Sequence, residues 1–481
     1  MSKKMNKNLR IGVYIVNGYG NCFFKEKHII KNWILIILII LLIFFLTISL
    51  LSSAQQQEAQ ISDELTALAK EFITLLEKGD FSKAVENFDS TMIKVMPEDK
   101  LKEVWNSIVT QLGSFKRQGK TRTEKVMEYD IVYVTCVFQS VALDAKVVFN
   151  RKKQISGLFF IPSQAAIKYR PPAYVKPDLF QEKEVVVGSG EWALPGTLTL
   201  PEGNGPYPAV VLVHGSGPND RDETIGPNKP FRDLAWGLAS RNIAVLRYEK
   251  RTKAHSQKFA SRKVKLTVKE ETIDDAVAAV RMLLQTEGID GEKIFVIGHS
   301  LGGMLIPRIG ALDSEIAGFI VLAGTTRPLE DVILEQMNYI FSVDGGISED
   351  EKNKLDKIKK QVEKVKNLKE TDVSSRTDYF LGAPAEYWLD LRGYNPPQAA
   401  RDLKQPMLIL QGGRDYQVTE EDFKGWKKAL SSRNDVEFRF YPNLNHLFIE
   451  GKGKITPAEY QVTSHVAEIV INDIAKWIKA H

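Results

Sequence analysis

The sequence predicts an α/β protein, a mostly parallel sheet with helices on both faces, behind a small α+β module and an N-terminal apolar segment. Three observations predict it. From residue 184 onward, short apolar runs rich in β-branched residues alternate with helical patterns, as crossover units of a parallel sheet require. That rhythm stops between Leu322 and Pro406, a gap of about eighty residues that is too long for a connection in a compact domain and reads as an inserted helical cap. Finally, Gly298-His299-Ser300-Leu301-Gly302-Gly303 joins a buried apolar run, Lys293–Ile297, to a helical stretch.

Taken in order, residues 1–32 form a basic leader. Lys3, Lys4, Lys7, Arg10, Lys25, Lys27 and Lys31 stand there against the single acid Glu26. Residues 33–54 follow, with Trp33 to Leu51 nearly unbroken Ile, Leu and Phe, long enough to cross a bilayer. The charge bias holds the leader in the cytoplasm and sends the rest outward. Ser52-Ser53-Ala54 supplies small residues for a signal peptidase, so an uncleaved anchor and a cleaved signal both fit. Either one makes the remainder extracytoplasmic, anchored to the cell membrane or secreted after cleavage near Ala54.

Residues 60–162 read as a separate small module. Leu65, Leu68, Ala69, Phe72, Leu75 and Leu76 trace a helical stripe, and a second helix is expected over Glu98–Leu112. Val126–Val137, Val141–Asn150 and Ile155–Phe160 then read as an antiparallel meander. The proline-rich stretch from Arg170 to Pro177 marks a semi-rigid linker within residues 163–181. Residues 182–481 form the α/β domain. Glu184–Val187 and Leu194–Leu200 make a lead-in hairpin. Ala209–His214, Ala244–Tyr248, Lys293–Ile297, Gly318–Leu322, Pro406–Gln411 and Glu437–Tyr441 are the sheet strands, with helices around Phe231–Ser240 and Glu270–Gln285. In the cap, residues 325–404, one helix shows an apolar face of Leu355, Ile358, Val362, Val365 and Leu368 and a capping box of Ser348 and Glu351. Its other face is dense in lysine, fit for solvent or for an anionic membrane surface.

Composition narrows the function. The chain has 481 residues, 43% hydrophobic and 26% charged, with a formal net charge of +5, too small for its length to suggest nucleic acid. Cys22 and Cys136 cannot build a disulfide framework, and no Cys/His spacing suggests zinc. A P-loop, a dinucleotide-binding glycine fingerprint and an H-E-x-x-H motif are all absent, so no cofactor or metal is expected.

The chemistry centres on Ser300. A bare G-x-S-x-G arises by chance in roughly one random chain of this length in six, so its weight comes from context. Here it makes a strand-to-helix turn so tight that the serine is strained, and the helix starting there points its N–H groups at a developing oxyanion. A serine hydroxyl needs a base. His446, on the loop after the last strand, is that base, while His465 is expected in the C-terminal helix, whose Val462, Val466, Ile469 and Trp477 face the core. Asp415, in the glycine-loosened Gln411-Gly412-Gly413-Arg414-Asp415, is the acid that fixes the imidazole. Leu301 N–H and Ser216 N–H, with Gly217 in reserve, make the oxyanion hole. Gly215, Gly217 and His299 are expected to touch the substrate. Tyr379, Phe380, Tyr387, Trp388 and Tyr394 of the cap could wall an acyl pocket or simply pack the cap.

Three motifs stand together: His214-Gly215-Ser216-Gly217-Pro218-Asn219-Asp220-Arg221-Asp222, Arg247-Tyr248-Glu249-Lys250-Arg251, and the elbow at Ser300. With them the chain resembles the bacterial EstD-type carboxylesterases, α/β-hydrolases that often carry a small, nuclear-transport-factor-like N-terminal module. The order Ser300, Asp415, His446 is that of the superfamily. The resemblance implies a serine esterase acting on short- to medium-chain acyl esters. Glu249 stands where the family usually has Asp and Thr252 where Gly is usual, so the wall they form is expected to differ. Two alternatives are a serine peptidase of the prolyl-oligopeptidase type, disfavoured because the N-terminal module is too short for a β-propeller, and a catalytically spent surface binding protein.

Overall fold

The computed structural model describes residues 62–481 apart from 127–128, 140–141, 164–168, 261–263, 344 and 372–378. The leader and the apolar run Trp33–Leu51 lie outside the described residues. Among those described, no helix is long and apolar enough to cross a membrane. The chain falls into two compact units.

In the N-terminal unit, helix α1 (62–78) buries Leu65, Ala69, Phe72, Ile73 and Leu76, a stripe at helical spacing. Two short helices follow, α2 (Phe81–Glu86) and α3 (Ser90–Val95), capped by the Asp80 and Asp89 carboxylates, and then α4 (Glu98–Leu112). Four strands, β1 (Phe115–Val126), β2 (Tyr129–Phe138), β3 (Ala142–Phe149) and β4 (Ile155–Pro162), form a sheet in sequence order. The strand expected from Val126 is in fact divided, since β1 ends there. β1 reads FKRQGKTRTEKV and is mostly exposed or half-buried, so it carries no apolar alternation to betray it. Cys136 is buried in β2.

The C-terminal unit is built on an eight-stranded sheet. Its strands are β5 (Phe180–Val187), β6 (Leu194–Pro201), β7 (Tyr207–Val213), β8 (Ala244–Tyr248), β9 (Ile289–His299), β10 (Gly318–Leu322), β13 (Met407–Gly412) and β14 (Val436–Tyr441), in the order β14-β13-β10-β9-β7-β8-β6-β5. β6 pairs antiparallel with both β5 and β8, and the pairings from β8 through to β14 are parallel. Helices α5 (Pro230–Ala239), the short α6 (Arg251–Ala254) and α7 (Ser256–Ala260), α8 (Asp274–Leu284) and α9 (Leu301–Gly310) connect the strands. Two apolar cores result, one including Val211, Ala276 and Leu305, the other Phe231, Phe295 and Trp477, as burial of both sheet faces demands.

The cap supplies α10 (Leu329–Ser342), α11 (Glu349–Asn367), a two-residue pairing of β11 (Tyr379–Phe380) with β12 (Ala383–Pro384), α12 (Ala385–Leu391) and α13 (Pro396–Ala400). In α11 the Ser348–Glu351 capping box forms, and Leu355, Val362 and Val365 are buried. Helix α14 (Glu420–Ala429) precedes β14, and α15 (Glu468–Ala480) ends the chain. α15 starts later than expected. His465 therefore precedes it, and Val462 and Ile469 are exposed, while Val470, Ile471, Ile474 and Ile478 are buried in their place.

Candidate active site

Ser300 sits at the sharp turn between β9 and α9 with φ 54° and ψ −115°, a conformation that an L-residue adopts only when its surroundings impose it. The surroundings do. A Cβ on Gly298 would lie 2.3 Å from the Gly302 carbonyl oxygen, and one on Gly302 would lie 2.3 Å from that of Val213. Both glycines are thus required by close backbone approach. The serine N–H donates to the Leu322 carbonyl of neighbouring β10, which ties the turn to the sheet.

Asp415 and His446 come from the loops after β13 and β14. Gly412 lets these loops touch, since a Cβ there would meet the Leu444 carbonyl oxygen at 2.5 Å. His446 Nδ1 donates to Asp415 Oδ2 at 2.7 Å, with both side chains buried. Asp415 Oδ1 accepts from the N–H groups of Gln417 and Val418, and Gln411 Nε2 donates to Oδ2 at 3.3 Å. These bonds fix the carboxylate and so the imidazole tautomer, leaving Nε2 for proton transfer. Asn445, 1% exposed, stiffens the histidine loop by accepting from Leu447 N–H and Ile449 N–H and by donating to Glu459.

Ser300 and His446 open onto one cleft of about 180 Å³. Ser216, Leu301 and His299 line its base, and Leu329, Val332, Ile333 and Gln336 of α10 line its roof. Helix α10 is held over it by Gln336 Nε2 donating to the Gln417 carbonyl, by Tyr339 stacked on Tyr416, and by Arg327, which bridges Glu335 on α10 to Asp422 on α14.

The match to known proteins follows this geometry. Residues 206–452 match the family described as serine aminopeptidase, S33, and residues 69–158 match a family of unknown function. Esterase EstD of Thermotoga maritima is 41% identical over 408 residues, covering 85% of this chain and 93% of that protein. The chain belongs to the EstD-type α/β-hydrolases. Among solved structures, an esterase of Pyrococcus furiosus is similar at 18% identity and a TM-score of 0.41, covering 64% of this chain and 96% of its own. An acylaminoacyl peptidase of Pyrococcus horikoshii is similar at 13% and 0.43, covering 77% and 56%.

The other residues expected at the site of this EstD-type chain stand in different relations to the cleft. His299 lines the cleft but is turned into the protein: Nε2 bonds the His446 carbonyl at 2.9 Å, and Nδ1 lies 2.9 Å from Glu223 Oε2, at an angle poor for a hydrogen bond but close enough for an ion pair. Its two ring nitrogens thus face the His446 loop and Glu223, while the residue itself still lines the cleft. Gly215 also lines the cleft, but its N–H donates to Glu223 Oε1 at 2.6 Å. Gly217, at φ 89°, is exposed and does not line the cleft. The cap aromatics do not wall it either. Tyr387 and Trp388 are buried in apolar cores, Phe380 packs against one of those cores, Tyr394 donates to the Met304 carbonyl, and Tyr379 is exposed.

Glu223, a residue that composition and spacing did not single out, is 2% exposed at φ 49°. Burial disfavours charge on both Glu223 and His299, yet their mutual attraction outweighs it. The carboxyl titrates below its usual range and the imidazole above its own. His214, at the end of β7, has no such partner strong enough: burial, added to the repulsion of Lys250, pushes it down to about 4 against the pull of Glu223. Glu249, the first departure from the family pattern, accepts from Arg221 Nε, and Thr252, the second, donates to Glu271. His465 pairs with buried Asp233, which also accepts from Tyr169, far from Ser300 in role and sequence.

Proposed function

We propose that this protein is a serine carboxylesterase in which Ser300 is the nucleophile, His446 the base and Asp415 its orienting acid. The observation that carries the reading is the convergence of a strained Ser300 and an Asp415-fixed His446 on one cleft. Asp415 holds the proton of His446 on Nδ1, so Nε2 accepts the Ser300 hydroxyl proton as Oγ bonds the ester carbonyl carbon. The negative charge moves to the carbonyl oxygen, where Leu301 N–H and Ser216 N–H stabilise it. Neither of these donors has a protein acceptor among the described residues. Each such donor is worth about 2.7–4 kcal/mol in comparable sites. Collapse breaks the ester C–O bond, and His446 gives its proton to the departing alcohol. A water then repeats the sequence, releasing the acid and restoring Ser300.

The cleft is small, about 180 Å³, and is roofed by the aliphatic side chains of Leu329, Val332 and Ile333, which supports a short-acyl preference. An aminopeptidase would need a carboxylate for the substrate ammonium. Glu223 is the one carboxylate lining the cleft among the described residues, and its two oxygens face Gly215 N–H and His299. That favours the ester over the peptide. The apolar run Trp33–Leu51 behind its basic leader supports placing the catalytic domain outside the cytoplasm, tethered to the membrane or released near Ala54. Hydrolysis of p-nitrophenyl esters from acetate to palmitate by the full chain, beside Ser300→Ala, tests the reading. Turnover of short esters lost in the variant is the expected result; equal rates in both, or none with any ester, would remove it.

A further inference from the structure

The Arg247–Arg251 motif ends β8 and holds no member of the triad, and the reaction just described makes no use of it. Its Lys250 is 1% exposed, which for an ammonium demands a strong reason. Lys250 Nζ donates to the Gly215 carbonyl oxygen at 2.7 Å and lies 3.4 Å from Glu271 Oε1. The Lys250 N–H donates in turn to the Asn219 carbonyl at 3.1 Å, so β8 and the loop after β7 are tied twice. Asn219 Nδ2 adds a neutral donor to the same Gly215 oxygen at 3.2 Å.

The Gly215 carbonyl and the Ser216 N–H belong to one peptide group, which is planar and trans, so the two dipole ends point in opposite directions. A cation fixed on the oxygen does two things to the N–H. It aims the N–H away from Lys250, and it polarises the amide so that the hydrogen becomes more positive. The preceding peptide is held with the opposite sign, because Glu223 Oε1 accepts the Gly215 N–H. Gly215 also packs closely beside the nucleophile, since a Cβ there would lie 3.1 Å from Ser300 Cβ.

We propose that Lys250 is a positioning residue for the oxyanion hole, acting through the Gly215–Ser216 peptide to orient and strengthen the Ser216 N–H. The proposal rests on the assignment of that N–H as an oxyanion donor. An aligned donor contributes on the order of 10²–10³ in turnover, and its loss falls on the transition state rather than on the bound ester.

The test uses the full chain carrying Lys250→Met and the pair Lys250→Met/Glu271→Gln, the second because removing the ammonium alone strands a buried carboxylate. Melting temperature establishes that each variant is folded. With p-nitrophenyl butyrate, kcat is expected to fall about 10²-fold or more with KM within threefold. Affinity for an alkyl trifluoromethyl ketone, whose Ser300 hemiketal places an oxyanion in the hole, is expected to weaken by a like factor. A folded variant that keeps kcat within threefold overturns the proposal, as does a loss of kcat with unchanged ketone affinity. Absence of ester turnover in the wild-type chain would sink the esterase reading instead. The ketone affinities would then still decide for or against Lys250.

Discussion

Gly302→Ala probes the elbow at its tightest point. The added methyl would lie 2.3 Å from the Val213 carbonyl oxygen and 2.8 Å from that of His214, both at the end of β7. Restoring ordinary contact near 3.4 Å moves the first turn of α9 away from β7 by about 1 Å. The two proposed oxyanion donors, Leu301 N–H on α9 and Ser216 N–H beyond β7, stand on opposite sides of that contact, so the hole widens by a similar amount. A misplacement of about 1 Å costs on the order of 10² in rate. Overpacking of this kind costs about 1–3 kcal/mol of stability, of which the better helix propensity of alanine recovers up to about 1 kcal/mol. The assay is p-nitrophenyl butyrate hydrolysis beside a thermal melt. The expected outcome is a folded protein with kcat down about 10²-fold and KM little changed. A variant that keeps half of the wild-type kcat would refute the argument that the Val213–Gly302 contact sets the hole.

Asp415→Asn is expected to retain the fold, because the side-chain oxygen can still accept from Gln417 and Val418 N–H. The amide would then face His446 Nδ1 and impose the wrong tautomer, lowering kcat by about 10³–10⁴. Ile333→Ala removes three carbons from the roof of the cleft and should move the p-nitrophenyl ester optimum to acyl chains longer by about two carbons; an unchanged optimum would place the acyl group elsewhere. His214, held down to about 4 by burial when folded, takes up a proton near pH 6.5 once unfolded. The unfolded chain thus binds more protons between those values. The stability this group contributes is full above pH 6.5 and is lost as pH falls toward 4. His214→Gln should flatten the melting temperature across that window, and a slope unchanged by the substitution would assign it to other groups.

What the sequence disclosed was whatever depends on local sterics or on periodicity. The elbow was legible because Gly298 answers a backbone clash with Gly302 inside the motif itself, although the clash that Gly302 answers, with Val213, exists only in the folded sheet. The sheet strands were legible because burial on both faces leaves long apolar runs. The Ser348–Glu351 box was legible because its partners are three residues apart. Features whose cause lies in distant contacts were not. Glu223 carries no local signal: Gly215 stands eight residues before it, but His299 reaches it only through the folded sheet. Lys250 stands in a visible motif, but its reason is a carbonyl thirty-five residues earlier in the chain. The direction of a side chain was equally hidden. Trp388 donates to the Phe380 carbonyl within the cap and Tyr394 to that of Met304 on α9, so these aromatics brace the cap and tie it down, and the aliphatic face of α10 covers the cleft in their place. Of the expected C-terminal stripe Val466 and Trp477 are buried, but Val462 and Ile469 are exposed, because the helix begins only at Glu468.

The central claim is that Ser300 becomes the acyl carrier. Intact-mass analysis of the full chain quenched during p-nitrophenyl butyrate turnover, followed by peptide mapping, tests it directly. The account predicts a mass increase of one butanoyl group, mapped to the peptide that holds Ser300 and absent from Ser300→Ala. An adduct on another residue, or one that persists in the variant, would contradict it.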